Sequence, residues 1–116
     1  MGMSLDAYLF YGRPAKGEGV EFPDGAWELR DQLRVLDVDY VFFGASDYQE
    51  PAIVVASTLV SAYYGAKAVP ANVRGSITDP IWRTTVAVVL DRAFELLGLD
   101  DADFEPAGWF IAPSYS

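Results

Sequence analysis

Four residues have the type and spacing to meet an anion: Lys67, Arg74, Ser76 and Arg83. The run "YGAKAVPANVRGS", from Tyr64 to Ser76, holds two bases and no acid, in a chain of formal charge −9. From Pro51 to Leu90 the only carboxylate is Asp79. This segment leads into a predicted helix start, where free N–H groups and the positive end of the helix dipole suit a phosphate or carboxylate. Gly75, Ser76 and Thr78 would let backbone and hydroxyl groups approach such a ligand. Ser57 and Ser61 are expected toward the same end of the sheet. The run has no Walker pattern. The competing reading is a solvated loop whose bases pair with the acidic stretch after the helix.

Other chemistry is limited by what the chain lacks. It has no histidine and no cysteine. Ser-His-Asp and Cys-His catalysis, thiolate metal sites and disulfides are therefore excluded within one chain. The usual general base near neutral pH is missing too. Asp101, Asp103 and Glu105 stand two apart, but Pro106 falls where a calcium loop needs glycine. That stretch reads as a solvated loop. Asp6 and Asp39, in or beside strands, are the carboxylates whose burial would point to a role. We expect no enzyme activity, no metal and no cofactor.

The aromatics offer a different use. Tyr8 and Phe10 share a face of one predicted strand, and Tyr40 and Phe42 share a face of another. Left on a helix-free sheet face, they would form an interface for a protein partner or for a second copy of the chain. The acid excess argues against direct nucleic-acid binding, which needs Lys and Arg against phosphate. It permits the reverse, an acidic mimic of nucleic acid. The simpler reading is that the excess keeps a small apolar domain soluble.

The elements that must position these residues follow from periodicity. At 116 residues and 52% hydrophobic, the chain is one domain spanning 1–116, too apolar for disorder. The "MGM" start reads as cloning-derived, with residues 1–4 outside the fold. No run approaches the length of a membrane span and no signal peptide is visible, so we expect a cytoplasmic protein. Residues 5–11 alternate as a strand. Asp24 is placed to cap a helix carrying Ala26, Leu29, Leu33 and Leu36 on one face. Residues 39–45 form a second strand and 52–64 a long, β-branched third. Asp79 and Pro80 open a second helix that Gly98 closes. "GWFIAPSYS" is the last strand, with Pro113 suited to an edge. The order β-α-β-β-α-β predicts an α+β, ferredoxin-like sandwich: four antiparallel strands with two helices on one face. It makes "YVFF" an edge strand, which invites pairing with another chain unless something covers it.

"YLFYG", "SAYYG", "DPIW" and "GWFIAPSYS" resemble small acidic accessory proteins from tailed phages of actinobacteria. The resemblance implies a protein made in the host cytoplasm that acts on host machinery by binding. It carries over no functional residue. Three readings follow: a non-enzymatic protein that binds another protein or itself, a binder of a small nucleotide-like anion at 65–83, and a nucleic-acid mimic.

Overall fold

The computed structural model describes residues 5–17, 19–45, 48–63 and 79–115. Among the described residues five strands form one sheet: β1 (Leu5–Pro14), β2 (Val38–Ala45), β3 (Tyr48–Val55), β4 (Val60–Tyr63) and β5 (Gly108–Tyr115). The described residues also form α-helices α1 (Arg30–Val35) and α2 (Pro80–Leu97), which make the fold α+β. Among the described residues no helix is long and apolar enough to cross a membrane.

β1 organises the sheet. One of its edges pairs with β5 from Leu5↔Tyr115 to Gly12↔Gly108. The other edge is shared, by β4 at Asp6 to Leu9 and by β3 at Gly12 to Pro14. β2 lies beyond β3. All these ladders are antiparallel, and a single parallel bridge joins Gly44 to Ser114. That bridge brings the far end of the β2–β3 hairpin against β5.

The expected third strand is two strands, so the sheet has five rather than four. A 3-10 turn at Ala56–Thr58 interrupts it. Thr58 Oγ1 donates to Val55 O at 2.7 Å, which tightens the turn, and accepts the N–H of Tyr11 at 2.9 Å. The hydroxyl thus fills the gap in the β1 ladder between the end of β3 and the start of β4. Gly12 stands at the crossing of β1 over β3. A Cβ there would lie 2.2 Å from Ile53 O, so only glycine allows the approach.

The first helix is shorter than the apolar stripe implies. A 3-10 turn (Ala26–Leu29) precedes α1, and the cap position is Gly25 at φ 77°, with no side-chain oxygen bonding the helix start. Asp24 is therefore not a cap. The stripe itself is correct: Ala26 and Leu33 are buried, and Leu29 and Leu36 pack against the core. The second helix forms as its sequence signals dictate. Asp79 Oδ1 accepts from Ile81 N at 3.0 Å and Trp82 N at 3.3 Å, Pro80 opens the first turn, and Gly98 closes the last at φ 66°.

Two cores lie on opposite faces of the sheet. Val38, Tyr40, Ile53 and Val55 meet Leu33 of α1 and Val86, Leu90, Phe94 and Leu97 of α2. On the other face Phe10, Ala52, Val54 and Ala112 form a second core, with Tyr8, Val41, Phe43 and Phe110 packed against it. The sheet curls its β2–β3 hairpin over that helix-free face and closes it.

"YVFF" is not on a free edge strand as expected: β2 lies between β3 and β5, bridged to β5 at Gly44, and the rest of its outer side is met locally. Phe42 faces Pro51, which has no N–H to give, and Pro51 O instead accepts from Ala15 N at 3.0 Å. Tyr40, two residues from Phe42, accordingly turns its N–H away from β3. Asp39 Oδ1 takes it at 2.8 Å, and Arg30 from α1 holds the same carboxylate. A charged side chain and a covering helix are established ways of blunting a strand edge.

Candidate interaction groove

Of the residues singled out for an anion, Lys67, Arg74 and Ser76 lie outside the described residues. Arg83 is exposed on the first turns of α2, where its N–H bonds Asp79 O at 3.2 Å. The four aromatics singled out for an interface separate. Phe10 is 0% exposed, and Tyr8 packs beside it, partly buried, against the second core. Tyr40 is buried on the other side, and Phe42 remains exposed.

Phe42 belongs to a cluster that the chain assembles from two directions. The loop after β1 runs between left-handed glycines, Gly19 and Gly25, and carries Phe22 onto β2. Phe22 lies 4.7 Å from Tyr40 and 5.6 Å from Phe42 between ring centroids, the latter edge to face. Such aromatic contacts add roughly 0.5–1.5 kcal/mol to the area they bury. The 3-10 turn then places Trp27 beside this cluster, 69% exposed.

Between these walls is an open groove of about 420 Å³, with Pro23, Trp27, Tyr40 and Phe42 in its lining. Behind the Phe22–Phe42 contact lies a second cleft of about 530 Å³, lined also by Glu21, Asp24 and Gln49. A third, of about 350 Å³, runs from Glu21 and Asp24 to Asp100 and Asp103. All three border the 19–24 loop, and no Lys or Arg lines any of them among the described residues. Arg30 sits 4.8 Å over the Tyr40 ring but is engaged by Asp39.

The remaining buried charges are structural. Asp39, 14% exposed at its side chain, accepts from Arg30 Nε at 2.8 Å and Nη2 at 3.3 Å. The hydrogen bond that Arg30 donates to Asp39, helped by the carboxylate's charge, raises the pKa of the guanidinium above its ordinary range, against a smaller lowering by burial. Asp39 therefore fastens α1 to the β2 edge. Asp6 lies on β1 opposite Ser114 and Tyr63.

The acidic stretch after α2 is held by Arg13, a base the sequence pattern hides between Gly12 and Pro14. Arg13 is buried at the end of β1. It pairs with Asp101 and donates to Glu105 O at 2.7 Å, Asp101 O at 3.1 Å and Phe104 O at 3.3 Å. Its guanidinium also lies 4.5 Å over the Phe94 ring. No cluster of three or more potential metal ligands forms among the described residues.

No family model, curated protein or solved structure matches this chain. Its function must be argued from the groove. Sequence reasoning reached Tyr40 and Phe42 but missed Phe22 and Trp27. The signal was present, since Trp27 falls off the Ala26–Leu29–Leu33–Leu36 stripe. A large apolar side chain off the buried face of a helix has to meet solvent or a partner.

Proposed function

We propose that this chain is a non-enzymatic interaction domain that holds a partner protein at the Phe22–Trp27–Phe42 groove. The observation that carries the reading is the exposed indole of Trp27 in the lining of the same open, largely apolar groove as Phe42. Aromatic side chains at the centre of an interface supply most of its binding energy. A second copy of the chain fits less well than a different protein. Self-association through this groove would bring two sets of acids together, and the chain already carries −9. An accessory protein that acts by binding a host component agrees with the resemblance to phage proteins.

The fold beneath this function is read as ferredoxin-like. The pairing order β5–β1–β3–β2, with a helix after the first strand and another before the last, supports that reading. β3 and β4 then count as one strand interrupted at Thr58.

The test is selection from a displayed library of random peptides, followed by binding of the winners to native chain and to Trp27→Ala and Phe42→Ser variants. Each substitution should weaken binding by about tenfold or more, the scale of an interface hot spot. Trp27→Ala should leave the melting temperature nearly unchanged. Winners that bind both variants as well as native chain would remove the groove from the function.

A further inference from the structure

Resting on the groove as the binding site, we infer that the segment it receives is basic: an apolar anchor side chain flanked by Lys or Arg. Two independent features point there. The walls are aromatic, so the anchor is apolar. The openings on either side are acidic, with Glu21 and Asp24 toward one cleft and Asp100 and Asp103 continuing the other. Among the described residues no Lys or Arg lines the clefts that these carboxylates border. Three acids elsewhere are differently placed. Asp39 is held by Arg30, Asp101 by Arg13, and Glu95 by Arg92. Exposed aromatic rings beside the acids also suit a guanidinium, which stacks on a ring face while bonding a carboxylate. The protein uses this arrangement internally, with Arg30 over Tyr40 and paired to Asp39. Complementary charge around an apolar centre selects the partner and speeds its arrival.

The experiment uses the same displayed library and two doubly neutralised proteins. Glu21→Gln/Asp24→Asn removes two acids at the groove, and Asp91→Asn/Glu95→Gln removes two on α2. The bulk charge of the two proteins is then equal. Peptides selected on native chain should carry Lys or Arg beside an apolar residue. They should lose about tenfold in affinity on the groove pair and less than about twofold on the helix pair. Winners without basic residues, or equal losses on both proteins, overturn this inference and leave the groove reading standing. Binding that survives Trp27→Ala overturns both.

Discussion

Thr58 Oγ1 accepts the backbone N–H of Tyr11 at 2.9 Å, at a point of the β1 edge where none of the described strands pairs. A side chain here replaces a rung of the ladder. Thr58→Val keeps the shape and removes the acceptor, leaving a partly buried N–H unpaired. It should cost about 1–3 kcal/mol in urea unfolding, the usual penalty for such a group. Thr58→Ser retains the hydroxyl and should cost clearly less. A larger loss for Thr58→Ser than for Thr58→Val would show that the methyl group, not the hydrogen bond, carries the effect.

Gly12 tests the crossing of β1 and β3. Gly12→Ala drives a Cβ into Ile53 O and Val54 Cα, both backbone atoms that cannot swing aside. The expected loss is at least about 1–3 kcal/mol, the range for forced overpacking. Gly17→Ala meets nothing within 4 Å and should be silent. A harmless Gly12→Ala in thermal unfolding would mean that β3 does not approach β1 there.

Arg13 and Asp101 form one ion pair with unequal consequences. The Arg13 side chain is 10% exposed and that of Asp101 80%. Arg13→Met strands the carbonyls of Phe104 and Glu105 and should cost about 2–3 kcal/mol, with new proteolytic sensitivity at 101–105. Asp101→Asn removes only a solvated partner and should cost less than about 1 kcal/mol. A reversed order in denaturant midpoints would contradict this assignment.

The Arg30–Asp39 pair makes a pH prediction by its sign. Arg30 is raised by its hydrogen bond to Asp39, so its contribution is complete below its unfolded pKa. That contribution is lost only as pH rises through the still higher folded value, in strong alkali. Arg30→Gln should therefore lower stability by the same small amount, under about 1 kcal/mol, across the neutral range. Asp39→Ala should cost more, about 1–3 kcal/mol, because it also strands Tyr40 N–H. An Arg30→Gln effect that changes between about pH 6 and pH 9 would point to a different partner.

The parts of this fold visible in the sequence are those encoded locally. Asp79, Pro80 and Gly98 specify α2 by their own backbone chemistry, without help from distant residues. The stripe of Ala26, Leu29, Leu33 and Leu36 likewise shows which side of the first helical segment is buried. The break at Thr58 is hidden because residues 52–64 are all good strand formers, and only the demands of β1 interrupt them. Arg13 is hidden for a similar reason. Its partners lie some 90 positions away, and Gly12 and Pro14 disguise the end of a strand as a loop. Phe10 looked free because alternation assigns it a face but cannot say that the sheet will fold back over that face. Trp27 could be found in the sequence, but its partner across the groove could not.

Ile53 and Val54 are neighbours in the chain, yet they belong to different cores. Neither core can come apart while β3 stays in place, and β3 cannot leave without opening both. The molecule therefore has no weak half to shed. Its β3 amides should exchange with deuterium only when the whole chain opens, at one common rate. Opening at the 19–25 loop, by contrast, releases Val20 and Phe22 from the margin of one core and leaves the other untouched. A partner can be admitted at the groove while the rest of the domain remains a single cooperative unit.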